Sequence, residues 1–144
     1  MHRIAIMFIA FVFLIGCETK LNNPPTDTTG GDTGGDISSL NVYYNSDAAI
    51  QGFQFDIDGV EVIGASGGAA GAAGFAIQTS ATSVIGYTFS TPIPSGQDVL
   101  IVLDIEGNLA DACLIDNVNF VFSDSNAQRL EARISDSDCT TINI

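Results

Sequence analysis

Hydrophobic and polar positions divide the chain into three regimes. Residues 4–15 are uninterruptedly apolar, residues 18–38 carry almost no apolar side chain, and from about residue 40 apolar positions recur at every second residue. A period of two belongs to strands, whose side chains point alternately to two faces. In 51–57, Phe53, Phe55 and Ile57 share one face and Gln54 and Asp56 the other. The same reading predicts strands over 42–45, 83–90, 98–106, 114–122 and 129–134, with shorter ones over 60–63 and 74–78. Residues 83–90 alternate through Ile85, Tyr87 and Phe89. In 98–106, Val99, Ile101, Leu103 and Ile105 point one way while Leu100 and Val102 pad the other, as in a central strand. Residues 114–122 align Leu114, Val118, Phe120 and Phe122, with Asp116 as the exception. Many short strands separated by Gly, Pro, Asn and Asp predict an all-β, antiparallel β-sandwich. Residues 64–74, all Gly or Ala except Ser66, break the period; each glycine penalises a helix by about 1 kcal/mol, so a close-packed loop with one helical turn is expected.

The first regime changes where this sandwich works. Met1, His2 and Arg3 followed by about twelve apolar residues make an export signal, because such a helix rises only about 18 Å against a hydrocarbon core about 30 Å thick. Leu14-Ile15-Gly16-Cys17 looks like the lipobox of bacterial lipoproteins. That resemblance implies removal of 1–16 and lipidation of Cys17. Two or three acyl chains would then hold the protein to a membrane almost permanently. Glu18 stands where an aspartate would favour inner-membrane retention, so the expected location is the bacterial cell envelope, at the outer membrane or cell surface. Residues 17–38, rich in Asp, Thr, Gly and Pro, read as a disordered tether that cannot repay the entropy of ordering. Residues 39–144 form the folded domain, a length suited to one core.

Charge narrows the partners. The chain carries a net charge of −13, and beyond Lys20 its only basic side chains are Arg129 and Arg133. Such a surface repels phosphate backbones and anionic lipid, which disfavours nucleic acid as a partner. The only histidine is His2, so hydrolytic chemistry in the domain would fall to carboxylates alone, and a non-enzymatic protein is expected. With Cys17 taken by lipid, Cys113 and Cys139 are left either as a disulfide or as two buried thiols; an exported protein favours the bridge. No cofactor is expected. If a metal binds, it is calcium, for which Asp104, Glu106, Asp136 and Asp138 are the candidate oxygen ligands, against the alternative of a solvated acidic surface.

Three stretches carry a family resemblance. The run from Val42-Tyr-Tyr-Asn-Ser-Asp through Gly52-Phe-Gln-Phe-Asp-Ile57 resembles the early strand pair of cohesin domains. Pro92-Ile-Pro-Ser-Gly and the apolar strand after it resemble that family's Ile-Pro-x-Gly turn and long strand, and 113–125 resembles cohesin-like domains of bacterial surface proteins. The resemblance implies a jelly-roll sandwich of eight or nine strands, related to one superfamily of carbohydrate-binding modules. It implies binding of a protein partner through a flat sheet face; the alternative is carbohydrate binding, in adhesion to polysaccharide or its degradation. Aromatic display decides between these. Tryptophan is absent, and the candidate binding surface is Tyr43, Tyr44 and Tyr87, with Tyr43 and Tyr44 on opposite faces of their strand; Phe53, Phe55, Phe75, Phe89, Phe120 and Phe122 are expected in the core.

Overall fold

The computed structural model describes residues 36–144; the export signal, Cys17 and nearly all of the tether expected at 17–38 lie outside them. Eleven strands are found among the described residues: β1 (Ile37–Ser46), β2 (Gly52–Asp58), β3 (Glu61–Ser66), β4 (Ala76–Thr79), β5 (Ser83–Tyr87), β6 (Gly96–Glu106), β7 (Cys113–Ile115), β8 (Val121–Ser123), β9 (Arg129–Leu130), β10 (Arg133–Ile134) and β11 (Thr141–Asn143). One five-residue helix, α1 (Gly68–Ala72), fills the glycine-alanine segment as the expected helical turn. The fold is all-β and built from two sheets. Sheet one has the order β10-β11-β1-β6-β3; sheet two has β4-β5-β2-β8-β9, with β7 also paired to β2.

Alternation places the core between them. From sheet one, Leu40, Val42 and Tyr44 of β1, Leu103 and Ile105 of β6 and Ile142 of β11 point inward. Phe53, Phe55 and Ile57 of β2, Val84 of β5 and Phe122 of β8 meet them from sheet two. Burying each such side chain is worth about 1.5–3 kcal/mol. Phe53 stacks near Phe55, Phe75 and Phe122, with ring centroids 5.9, 5.8 and 6.2 Å away.

Strand count and pairing depart from expectation in ways the backbone explains. β1 opens at Ile37, two residues before the domain start read from composition, because Ile37 and Ser38 still pair with Glu106 and Ile105. β11 pairs with β1 in parallel, so the sandwich is not wholly antiparallel. The single strand expected over 114–122 is two three-residue strands, β7 and β8, interrupted at Asp116 to Phe120. There the Asn117 side chain accepts from the Asn119 N–H at 2.9 Å, an Asx turn that no ladder tolerates. Val118 is consequently 88% exposed and leaves the core row to which it was assigned. Residues 129–134 likewise split into two short strands belonging to different sheets.

Gly59 makes the crossing from sheet two to sheet one possible. It has φ of +82° in the tight Gly59-Val60 turn between β2 and β3, and a Cβ there would lie 1.9 Å from the Asp111 carbonyl oxygen. Only glycine satisfies both demands.

Cys113 and Cys139 form a disulfide with a Cα–Cα distance of 5.1 Å. Cys113 opens β7 and Cys139 precedes β11, so the bond ties sheet two to sheet one. The Leu114 N–H adds a hydrogen bond to the Cys139 carbonyl at 3.0 Å.

Candidate functional site

Two surfaces carry the groups that a binding protein uses. The first is an open groove of about 560 Å³ on sheet one, lined by Tyr43, Tyr44, Asn45, Gln97, Asp98, Asp138, Thr141 and Asn143. Its chemistry follows from register. Tyr43 and Asn45 alternate outward on β1, and the parallel pairing sets Thr141 beside Tyr43 and Asn143 beside Asn45. The antiparallel pairing with β6 brings Gln97 opposite Asn45 and Asp98 opposite Tyr44. Tyr43 is 41% exposed, and its hydroxyl accepts a hydrogen bond from Asn41 Nδ2 at 3.3 Å. Tyr44 corrects the sequence reading: it is only 4% exposed, its hydroxyl donating to the Pro94 carbonyl at 3.3 Å, and so it offers no ring for stacking. Burial, with the nearby Asp98 charge, pushes the Tyr44 hydroxyl pKa up.

Asp138 is held at this groove by its own turn. Its Oδ1 accepts from the Thr140 N–H at 3.0 Å and the Thr140 hydroxyl at 2.7 Å, and its Oδ2 accepts from the Thr141 hydroxyl at 2.8 Å. These bonds hold its pKa below the usual carboxylate range.

The calcium ligand set proposed from sequence is not brought together. Asp138 lines the groove beside Asp98, whereas Asp104 lies six residues farther along β6, about 20 Å away at strand rise. Glu106 lies farther still, opposite Glu61 of β3, and Asp136 is exposed in the turn between β10 and β11. Among the described residues no group of three or more His, Cys, Asp or Glu side chains is placed to hold a metal ion.

The second surface is the outer face of sheet two. Gly52 and Gln54 of β2, Ile85 and Tyr87 of β5, and Val121 and Ser123 of β8 share it through their registers. Ala76 and Gln78 of β4 extend it. It is shallow, and its charges are few: Asp58 stands exposed at the end of β2, Arg129 of β9 lies opposite Ser123, and Asp56 is itself only 8% exposed and hydrogen-bonded by Ser83, Asn117 and Asn119. Beyond the end of β5, Phe89 is 93% exposed and meets Tyr87 edge-on, with centroids 5.6 Å apart. This corrects the assignment of Phe89 to the core. The row Ile85, Tyr87, Phe89 does share a side, but the buried partners on β5 are Val84 and Gly86, leaving the aromatic row outside.

Compared with known proteins, the chain matches no family model, no curated protein and no solved structure.

Sequence reasoning found Tyr43 and Asp138 of the groove, and Tyr87 of the other surface, but missed Asn45, Gln97, Asp98, Thr141 and Asn143 as neighbours of the first two. Those five meet only through the parallel pairing of β1 with β11 and the irregular register between Val42 and Tyr43, where β1 meets β6. Neither leaves a local signal.

Proposed function

We propose that this protein is a binding module of the bacterial cell envelope, anchored through lipid on Cys17, whose jelly-roll, cohesin-like sandwich docks a protein partner on the outer face of sheet two. The exposed Tyr87–Phe89 pair, beside a sheet face whose exposed charges Asp58 and Arg129 stand at its margins, carries this reading. A phenylalanine left in water forgoes the roughly 2 kcal/mol that burial would return. Isolated exposed apolar residues are ordinary, but a contiguous apolar and uncharged patch on an acidic protein marks an interaction surface. At the margins of this face Asp58, Asp116 and Asp124 outnumber the single cation Arg129 and leave the border net acidic. The fitting partner is therefore a protein with an uncharged contact patch and a basic rim, whose association slows as salt rises. Side-by-side packing of the first and last strands in sheet one supports the jelly-roll reading. Carbohydrate is the alternative ligand class, and it draws on a different surface, the Tyr43 groove.

A photoreactive phenylalanine analogue in place of Phe89, in the native envelope, is expected to yield one discrete protein adduct whose crosslinked peptide carries Lys or Arg beside uncharged residues. The same analogue at Ile63, exposed on sheet one, is expected to yield none. Phe89→Ala should weaken that complex about thirtyfold, the scale of a hot-spot side chain. Equal adducts from both positions, none from either, or an adduct with a second copy of this chain would each reject the proposal.

A further inference from the structure

We propose that the Tyr43 groove is a separate binding site for an uncharged glycan, independent of the docking face on sheet two. A sugar ring offers an apolar C–H face and a rim of hydroxyls that both donate and accept. Its binding site needs a fixed aromatic plane and polar groups set around the edge. Tyr43 supplies the plane. The bond from Asn41, two residues back on the same strand, draws the phenol along β1, so that the ring lies over its own strand rather than standing free. Fixing the ring beforehand removes part of the ordering cost of binding.

The edge is supplied by three amides, two carboxylates and one hydroxyl. Asn45, Gln97 and Asn143 each donate and accept, and Thr141 does the same through its hydroxyl, although that hydroxyl already donates to Asp138. Asp98 and Asp138 accept only, which suits sugar hydroxyls, all of which are donors. Asp138 is positioned by Thr140 and Thr141 and by the adjacent Cys139 disulfide, and Oδ2 keeps acceptor capacity beyond its single bond from Thr141. Its lowered pKa keeps it ionised throughout the neutral range.

Charge selects among glycans. Asp98 and Asp138 at one groove, on a chain of net charge −13, oppose uronic acids, sulfated sugars and phosphates. A bare metal ion is not the ligand these residues suit, because no third metal-ligating side chain joins them among the described residues. The volume of about 560 Å³ falls within the range of small-ligand sites.

The test is affinity electrophoresis of the full chain, made as Cys17→Ser to keep it in solution, through gels cast with xylan, β-glucan, mannan or glycol chitin, and with polygalacturonate as the anionic control. Retardation is expected in at least one neutral gel and not in polygalacturonate. Tyr43→Ala should reduce that retardation at least about tenfold, and Tyr43→Phe should retain most of it. Gln97→Ala, at an exposed position, provides a second variant expected to weaken it even if Tyr43→Ala fails to fold. Phe89→Ala should leave it unchanged, which separates this site from the protein-docking face. No retardation in any neutral gel, retardation that survives both groove variants, or stronger retardation in polygalacturonate would overturn the assignment.

Discussion

Removing the Cys113–Cys139 bond is expected to destabilise the domain by about 3.5 kcal/mol and to lower its thermal midpoint by about 15 °C. The residues are 26 apart in sequence, and closing a loop of that size removes about this much free energy from the unfolded chain. Position matters as well as loop length. The bond joins β7 of sheet two to the turn before β11, a strand of only three residues held in sheet one by β1 and β10. Without it, β11 keeps its ladder but loses its covalent tie to the opposite sheet. Asp138 and Thr141 then lose their fixed setting beside Tyr43, so glycan retardation should fall along with stability. The measurement is calorimetry of the Cys113→Ser/Cys139→Ser double variant, with wild type run in the presence and absence of reductant. A shift below about 3 °C would show that the bond does not constrain the unfolded chain as argued.

That bridge was legible because it rests on residue count and compartment, which need no knowledge of topology. The inner face of β2 was equally legible: Phe53, Phe55 and Ile57 alternate, all are aromatic or branched, and all are buried. Periodicity reports which residues share a side, but not which side is the core. The row Ile85, Tyr87, Phe89 shows the gap, since Val84 and the small Gly86 turn inward instead. Gly86 has no room for more: a Cβ there would lie 2.3 Å from Phe53 Cζ. Large side chains on β5 were thus forced out by the bulk of Phe53 opposite, a tertiary fact that local sequence does not carry. Alternation also overran the turn at Asn117, because Leu114, Val118 and Phe120 happen to keep even spacing across it. The two halves of the Tyr43 groove are about a hundred residues apart in the chain and meet through a parallel pairing, which leaves no short-range mark.

Asp56 carries the second large effect, and its role was hidden for the same reason. It occupies the outward side of β2, where sequence alternation predicts a solvated carboxylate, yet the turn at Asn117 to Asn119 folds over it. Asn117 Nδ2 donates to Oδ2 at 2.7 Å, Asn119 Nδ2 donates to the same oxygen at 2.9 Å, and the Ser83 hydroxyl donates to Oδ1. Burial alone would raise its pKa, but the three hydrogen bonds favour the ionised form more strongly and leave the pKa lowered. Asp56→Ala is expected to cost about 3–4 kcal/mol, because it deletes charge-assisted bonds and leaves three donors in a partly buried setting without their acceptor. Asp56→Asn should cost about 2 kcal/mol, since its amide still accepts at one end but opposes a donor at the other.

The sign of the pH dependence follows from the same bonds. With the folded pKa below the unfolded value of about 3.9, the unfolded chain binds more protons between the two, so stability rises with pH in that window. The contribution is fully present above about pH 4–5 and disappears as pH falls through the folded pKa. Asp138 acts in the same direction, so removing Asp56 alone flattens the acid limb without abolishing it. Urea unfolding of wild type and Asp56→Asn at pH 3 to 7 is expected to show two curves that converge toward acid, wild type losing up to about 1.4 kcal/mol per pH unit more than the variant. Parallel curves across that range would mean that Asp56 titrates alike in the folded and unfolded chain, and that the Asn117 turn closes the sheet without holding a charge.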